Sequence, residues 1–490
     1  MDPGTTHDSW AFYGRQSEIA ALRAMLARGR FFFLRVTGRR RIGKTALVLH
    51  ALREGGRRVA YVQVADADPA GVVLGAREHL RLSGVPGALP SDLFELAATV
   101  GRLVREGWVV VLDEYQAFAR RALYPFNSAL QFEVDRLRAP GGAEVSGGLI
   151  LLGSIQTEME ALLGGTRAPL FGRTTDVLHL SHLAPSVTAH ILARHGRLDG
   201  PRLLFFWSLL HGIPKYWRDA FELDVLGSQR RAGLDRLFFS GTAPLAAEGS
   251  SWLLEELRGR YDPLLRYLAR NPGSGRPDIA AHIGQTMGHA SAQVGAWLAA
   301  LEERFGLVER RNPALASARS RSGRYHIEDN FLAAWLGALA DPVALIGVRP
   351  TADLLDEAER RLVTVEGHAL ERLVAALYEE RSARGVGDFA LADRVRGWWD
   401  RGDAEIDLVA RAADGRLRLG SCKRSGDRLV ADLGRFDGHI ERFLAQHPEL
   451  ARERVERVAI APELGKGQRA AIAARGWIAQ DLGDLLEGLG

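Results

Sequence analysis

The first part of the chain, from about residue 10 to 180, alternates short apolar runs with longer amphipathic stretches. The apolar runs are nearly continuous, as in strands of a parallel sheet that helices cover on both faces. We therefore predict an α/β unit with strands at 31–36, 58–64, 108–112, 149–153 and 177–180.

Beyond this unit the pattern of apolar positions changes. Residues 185–250 have helical spacing, interrupted at Gly212-Ile213-Pro214, because glycine and proline break helices. The following stretch, 262–328, predicts a winged helix, with helices at 263–269, 278–283 and 290–304 and wing strands at 307–309 and 324–327. A connecting segment leads from there to a final α/β segment that runs to residue 490.

Length and composition limit the class of protein. A chain of 490 residues is expected to form about three domains. The single cysteine, Cys422, excludes an internal disulfide framework and fits a reducing, cytoplasmic location. We find no apolar run of about 18 residues and no secretory signal at the N-terminus, so we expect no membrane association.

Basic residues number 64 and acidic residues 60, so contact with nucleic acid requires local clusters of charge.

A phosphate-binding loop follows the first predicted strand and precedes a helical stretch. Its motif is G-x-x-x-x-G-K-[ST], and its residues are Gly38, Arg39, Arg40, Arg41, Ile42, Gly43, Lys44 and Thr45. In such a loop, backbone N–H groups surround the phosphates, the lysine reaches the β- and γ-phosphates, and the hydroxyl is placed for Mg²⁺. The alternative is a chance match in a chain rich in arginine and glycine. The context favours ATP and Mg²⁺ as cofactors.

A second acidic motif supports this interpretation. The apolar strand at 108–112 ends in Asp113 and Glu114, which puts two carboxylates at the edge of the sheet where ligands bind. We expect Asp113 to hold Mg²⁺ and Glu114 to orient and deprotonate the attacking water. The alternative is an exposed acidic turn.

Two further residues are candidates for contact with the γ-phosphate. Ser154 follows the strand at 149–153, where a polar side chain could sense this phosphate. Arg173 could supply positive charge in the transition state, to its own nucleotide or to that of a neighbouring subunit. An ordinary surface arginine is an equal alternative for Arg173.

The order of these motifs resembles that of archaeal-type ATPases of the AAA+/STAND-like branch of P-loop proteins. The shared boxes are Phe12-Tyr13-Gly14-Arg15, the phosphate loop, Leu112 to Gln116, Gly153-Ser154, 169–173 and 212–216. The resemblance implies a multidomain α/β protein, with Gly14 and Arg15 near the adenine. It implies a P-loop core at 1–184, a helical lid at 185–260, a winged helix at 261–340, a linker at 341–361 and a restriction-nuclease-like domain at 362–490.

The winged helix carries a group of arginines and leaves two roles open. The arginines of the wing are Arg310, Arg311, Arg319, Arg321 and Arg324, with no acidic residue between the first and the last. Such a cluster could follow a phosphate backbone, so DNA is a candidate partner. The preceding helix offers few base-reading side chains beyond His289, Ser291 and Gln293, so sequence-specific recognition is not expected. An intramolecular role is equally compatible with the sequence.

The C-terminal segment resembles the core of restriction nucleases. Its helix acid is Glu371, its strand acid is Asp407 and its lysine is Lys423; the resemblance implies that the acids bind metal and that Asp407 and Lys423 take part in catalysis. Ser421 departs from the pattern, which has a carboxylate there, and its loss weakens a metal site because hard cations prefer charged oxygens. Glu405 is a conceivable substitute.

Two hypotheses about the function therefore remain open. The first is an ATP-driven switch or motor with a nuclease-like effector domain that acts on DNA. The second is a STAND-type signalling or scaffold ATPase whose C-terminal domain binds without cleaving. A homo-oligomer or a protein partner fits either hypothesis.

Overall fold

A computed structural model describes residues 9–139, 145–154, 156–166, 168–252, 259–288, 291–317, 320, 322–450 and 452–490. Three of the residues singled out above, His289, Arg319 and Arg321, lie outside the described residues. The chain divides into two compact units. The ATPase unit comprises 14–182 and 213–215, and the second unit comprises 183–212 and 216–490 together with the described residues before Gly14.

The ATPase unit is built on a parallel sheet. Within the described residues it has five strands in the order β2-β3-β4-β1-β5. The strands are β1 Phe32–Gly38, β2 Val59–Gln63, β3 Val109–Asp113, β4 Gly148–Gly153 and β5 Asp176–Leu180. Each lies within two residues of the predicted position. The residues of β3 and β4 are buried throughout because helices cover both faces.

Helices connect these strands and enclose the core. They are α1 Gln16–Ala27, α2 Lys44–Glu54, α3 Pro69–Leu82, α4 Leu93–Arg105, α5 Pro125–Arg138 and α6 Gln156–Leu163. Asp68 and Asp92 cap α3 and α4 by accepting hydrogen bonds from backbone N–H groups of the first turn. The strand order places β4 beside β1 and β3 beside β4, so the carboxyl ends of these parallel strands lie along the edge where the phosphate loop begins.

The second unit begins with helices and continues into a small sheet. Its first helices are α7 Pro185–His195, α8 Gly200–Leu210, α9 Pro214–Glu222, α10 Arg230–Leu234 and α11 Pro244–Trp252. A three-stranded antiparallel sheet then alternates with helices in the order α12 Asp262–Arg270, β6 Ser274–Gly275, α13 Arg276–Met287, α14 Ser291–Ala299, β7 Val308–Arg311 and β8 Arg324–Ile327. Helices α12, α13 and α14 and strands β7 and β8 overlap the helices and strands expected from the sequence, and their assignment to a winged helix stays a prediction.

A long helix occupies part of the segment that was expected to be a linker. After α15 Asn330–Ala334 and α16 Ala340–Ala344, helix α17 spans Thr351–Ala383. The segment 341–361 is therefore largely helical, because Leu354, Leu355, Ala358 and Leu362 form a buried stripe at helical spacing. The same helix carries Glu371 and packs against α7 and α8.

The C-terminal sheet is mixed. Its order within the described residues is β13-β12-β11-β10-β9, with β9 and β10 antiparallel to their neighbours and β11, β12 and β13 parallel. The elements are β9 Arg396–Trp399, β10 Glu405–Arg411, β11 Arg416–Cys422, α18 Gly426–Gln446, β12 Arg454–Ala461, α19 Lys466–Ala474, β13 Ile478–Asp481 and α20 Leu482–Leu486. No helix among the described residues has the length and apolar character to cross a membrane.

Candidate functional site

The phosphate loop joins the end of β1 to the start of α2 and depends on its two glycines. Gly38 has φ 146° and Gly43 has φ 92°. Residues other than glycine rarely adopt such backbone angles. A Cβ atom at Gly38 would also lie 2.6 Å from the Leu180 carbonyl oxygen. Within the loop Ile42 is buried, whereas Arg40 is exposed. The loop therefore keeps a tight turn ahead of the N-terminus of α2, where backbone N–H groups can meet an anion.

Lys44 lies buried against the loop that precedes it. Its Nζ donates hydrogen bonds to the carbonyl oxygens of Gly38, at 2.8 Å, and Arg39, at 3.0 Å. Burial lowers the pKa of Lys44 to about 8, although the carboxylates of Glu114 and Asp113 oppose this shift. A phosphate bound in the loop would add negative charge beside this ammonium and favour its protonated form.

Asp113 and Thr45 lie in direct contact. The Thr45 hydroxyl donates to Asp113 Oδ2 at 2.5 Å, and the Tyr61 hydroxyl donates to the same oxygen at 3.0 Å. Burial, followed by the Asp113 charge, raises the pKa of Tyr61. A hydroxyl and a carboxylate are hard oxygen ligands, so Thr45 and Asp113 fit a Mg²⁺ ion bound together with nucleotide. Tyr61 was not predicted; it is brought here by the pairing of β2 with β3.

The Glu114 backbone N–H donates to Asp113 Oδ1 at 2.8 Å, whereas the Glu114 carboxylate belongs to a separate polar group. Glu114 has φ 54°, and its Oε2 accepts hydrogen bonds from the Ser154 hydroxyl, at 2.9 Å, and from the Gln116 amide. The Gln116 amide nitrogen also lies 3.2 Å from Ser154 Oγ. The structure thus joins Glu114 to Ser154, as expected for two groups near one phosphate. Gln116 was part of a motif noted in the sequence, but no role was assigned to it.

Arg15 ties the loop to the end of β5. Its guanidinium donates to the carbonyl oxygens of Ser181, at 2.6 Å, and Ile42, at 3.3 Å, and pairs with Glu18. Burial lowers the pKa of Arg15. Arg15 and Gly14 both have φ 67°, so the chain turns sharply just before α1. These contacts support the shape of the loop, and contact of Gly14 and Arg15 with adenine remains a prediction.

Arg173 is held by its own subunit. Its Nε and Nη2 donate to the two carboxylate oxygens of Asp135, at 2.7 and 2.9 Å, and Nη1 donates to the carbonyl oxygens of Pro169 and Phe171. This bidentate pairing favours the structural alternative for Arg173 in the conformation described. A role at a phosphate requires Arg173 to leave Asp135.

Comparison with solved structures identifies the fold around this site. The Walker-type ATPase PABY2304 of Pyrococcus abyssi matches 66% of this chain and 96% of its own, with a TM-score of 0.52 and 17% identity. The chain contains a P-loop ATPase fold. The ORC2 protein of Aeropyrum pernix, in its ADPNP–ADP complexes, matches 73% of this chain and 96% of its own, with a TM-score of 0.47 and 16% identity.

Sequence comparison also gives a distant relative. The uncharacterised protein MJECL04 of Methanocaldococcus jannaschii is 22% identical over 429 residues, which cover 81% of this chain and 84% of that protein. No protein-family model matches the chain. The P-loop ATPase fold therefore rests on the structural likeness, together with the loop and acidic strand end described above.

The C-terminal sheet brings Asp407 and Lys423 together. Asp407 Oδ2 accepts from the Ser421 hydroxyl at 3.0 Å and from the Cys422 backbone N–H at 2.8 Å, and it lies 3.5 Å from Lys423 Nζ. Burial, followed by the negative charge of Glu371, raises the pKa of Asp407 to about 6. Lys423 Nζ also lies 4.9 Å from the Phe436 ring centre, a contact not predicted from the sequence.

Glu371 lies near enough to interact electrostatically with this pair but is not joined to it by a hydrogen bond among the described residues. Its carboxylate is 3.7 Å from His368 Nδ1. Burial disfavours ionisation of Glu371, yet His368 and Lys423 lower its pKa overall. Among the described residues, Glu371 and Asp407 form no group of three His, Cys, Asp or Glu ligands within 4.8 Å. The predicted acids are therefore gathered in one region without forming a ready cation site.

The described arginines of the wing are engaged within the second unit. Arg324 pairs with Glu405 at 2.6 Å and lies 4.6 Å from the Trp399 ring centre, while Arg311 pairs with Glu309 at 2.5 Å. Arg310 donates to the Ser320 carbonyl oxygen.

The segment between the wing strands also contacts β9 through its backbone. The Ala314 N–H donates to the Gly397 carbonyl oxygen at 2.8 Å, and Trp399 Nε1 donates to the Ser322 carbonyl oxygen at 2.8 Å. These contacts favour the intramolecular role of the wing. The ion pair with Arg324 occupies Glu405, which was considered as a substitute metal ligand.

Proposed function

We propose that this protein binds and hydrolyses ATP with Mg²⁺ and acts as a nucleotide-dependent switch. The observation that carries the proposal is the contact between Thr45 and Asp113 at the mouth of a glycine-dependent phosphate loop. It joins the two oxygen ligands expected for Mg²⁺ in P-loop ATPases, which come from distant parts of the sequence.

Each residue of the loop has a distinct role in this proposal. The backbone N–H groups of 38–45 bind the phosphates, and Lys44 moves from the loop carbonyls to the β- and γ-phosphates. Thr45 and Asp113 hold Mg²⁺, which neutralises charge on the phosphate oxygens when bound. Tyr61 holds Asp113 in place through its hydroxyl hydrogen bond.

Hydrolysis requires a group that orients the attacking water. Glu114 fits this role because its carboxylate is bound by Ser154 and Gln116 and is separate from the Thr45–Asp113 contact. Ser154 and Gln116 can then contact the γ-phosphate, and a change in their positions alters the position of the Glu114 carboxylate. Arg173 is the candidate for additional positive charge, supplied after release from Asp135.

Nucleotide binding tests the proposal directly. Titration of the full chain with a fluorescent ATP analogue and Mg²⁺ should give saturable binding that Lys44→Ala abolishes. Lys466→Ala is the matched control, because Lys466 is another of the four lysines and is exposed on α19. Equal binding by wild type and Lys44→Ala would refute the assignment of the loop.

For the C-terminal domain we propose a nuclease-like fold that acts as a binding module. Asp407 accepts hydrogen bonds from Ser421 and Cys422 on one oxygen, and the carboxylate expected at 421 is a hydroxyl. This arrangement favours the STAND-type alternative over a cleaving effector. DNA and a protein partner both fit such a module, and contacts within the unit engage the described wing arginines.

The cleaving effector remains open to a direct test. Purified protein is incubated with supercoiled plasmid and Mg²⁺ or Mn²⁺, with and without ATP, beside Lys44→Ala, Lys423→Ala and Asp407→Asn. We expect no cleavage under any of these conditions. Cleavage that both substitutions remove would instead establish a nuclease, and its loss in Lys44→Ala would show that ATP controls it.

A further inference from the structure

Glu366 is a buried carboxylate on α17 that belongs to neither site described above. The residue is 1% exposed, and each of its oxygens is bound by a different arginine. Oε1 accepts from Arg230 of α10, and Oε2 accepts from Arg424 at 2.6 Å. A carboxylate withdrawn from water requires such cationic partners. When one arginine is lost, the other has to balance the charge of Glu366.

The two arginines belong to different structural neighbourhoods of the second unit. Arg230 lies among the helices after Gly212, where its guanidinium carbon is 4.6 Å from the Phe205 ring centre of α8. Arg424 immediately follows Lys423. The Lys423 backbone N–H donates to the Ile460 carbonyl oxygen at 2.9 Å, and its Nζ lies 3.5 Å from Asp407. A shift of Arg424 therefore acts directly on the backbone that positions Lys423.

We propose that Glu366 couples helix α10 to the C-terminal site, so that the position of Arg230 determines how firmly Arg424 holds the Lys423 segment. The inference deepens the proposed function and rests on it, because it names how the helices after Gly212 control the C-terminal site. With Arg230 in place, Glu366 is balanced between two cations. When Arg230 withdraws, Glu366 and Arg424 are left as a single ion pair. The two side chains then change position, and Arg424 holds the Lys423 segment less firmly.

Arg231 provides a matched comparison. It is the next residue on α10 and also binds α17, through Asp356, through Glu359 at 3.2 Å and through the Ala352 carbonyl oxygen at 2.8 Å. None of these partners is Glu366 or Arg424, although Arg230 Nε also lies 3.7 Å from Glu359 Oε1. Removal of Arg231 therefore weakens the attachment of α10 to α17 and keeps both arginine partners of Glu366.

Hydrogen exchange measured by mass spectrometry tests the coupling in the nucleotide-free full chain. In Arg230→Gln, we expect the amides of Cys422 and Lys423 to exchange about tenfold faster than in wild type, while Arg231→Gln stays within about twofold. Arg230→Lys should restore slow exchange, because the ammonium keeps the charge. Equal acceleration in Arg230→Gln and Arg231→Gln, or unchanged exchange in Arg230→Gln, would overturn the proposal.

A reciprocal variant keeps the test informative if Arg230→Gln folds poorly. Because coupling between two sites is mutual, Arg424→Gln should accelerate exchange of the α10 amides at 231–234. Unchanged exchange at α10 would overturn the coupling. Neither experiment uses nucleotide, so a failure of ATP binding and a failure of this coupling are separate results.

Discussion

Replacement of Arg372 by methionine should destabilise the second unit strongly. The Arg372 side chain is 13% exposed and lies on α17 beside Glu371. It donates to Glu309 Oε1 at 2.7 Å, to the Glu328 carbonyl oxygen at 2.7 Å and to the Ile327 carbonyl oxygen. Burial lowers the pKa of Arg372 to about 10, so the guanidinium is still charged at pH 7.

The expected loss follows from these partners. Removal of one member of a buried ion pair costs about 3–5 kcal/mol. Glu309 retains 33% exposure of its side chain, so its own penalty is at the low end of this range. Each buried carbonyl left without a donor adds about 1 kcal/mol. We therefore expect the free energy of unfolding to fall by about 3–5 kcal/mol in Arg372→Met.

Chemical denaturation followed by tryptophan fluorescence measures this loss. Arg428→Met is the control, because the Arg428 side chain is 79% exposed and lies 3.9 Å from Asp432. Such an exposed pair contributes less than about 1 kcal/mol. If Arg372→Met and Arg428→Met unfold at the same denaturant concentration, the assigned role of Arg372 in joining α17 to the wing is wrong.

Three further predictions concern the ATPase unit. Gly38→Ala should abolish nucleotide binding, because the new Cβ would lie 2.6 Å from the Leu180 carbonyl oxygen; retained affinity in a nucleotide titration would contradict the loop geometry. Tyr61→Phe should weaken Mg²⁺-dependent binding by about tenfold or less, the contribution of one hydrogen bond, and an unchanged magnesium titration would exclude this role. Arg173→Ala should lower ATP turnover by at least about tenfold, while Asp135→Ala keeps it within about twofold; equal turnover in both variants would leave Arg173 purely structural.

Much of the ATPase unit could be predicted from the sequence. Buried parallel strands leave continuous apolar runs, so the five strands were located within two residues. The glycine requirement of the phosphate loop also leaves a recognisable motif. The structure brings Asp113 to Thr45 and Ser154 to Glu114, as expected when strand ends meet at one edge of the sheet.

The remaining contacts depend on strand register and on packing between distant segments, which the order of motifs along the chain does not reveal. Tyr61 reaches Asp113 because β2 pairs with β3 in a particular register. The sequence left DNA binding and an intramolecular role of the wing equally open, because Arg324 and its partner Glu405 are 81 residues apart in the sequence. The segment 341–361 was predicted to be a linker, yet its apolar residues recur at helical spacing within α17, a periodicity that the prediction did not take into account.

The most direct test of the central claim is steady-state ATP hydrolysis by the full chain with Mg²⁺, comparing wild type with Glu114→Gln. Because Glu114 is separate from the Thr45–Asp113 contact, the substitution should leave nucleotide affinity within about threefold and lower turnover by about 10²- to 10⁴-fold. Equal turnover in wild type and Glu114→Gln, at equal nucleotide occupancy, would contradict the account of the site.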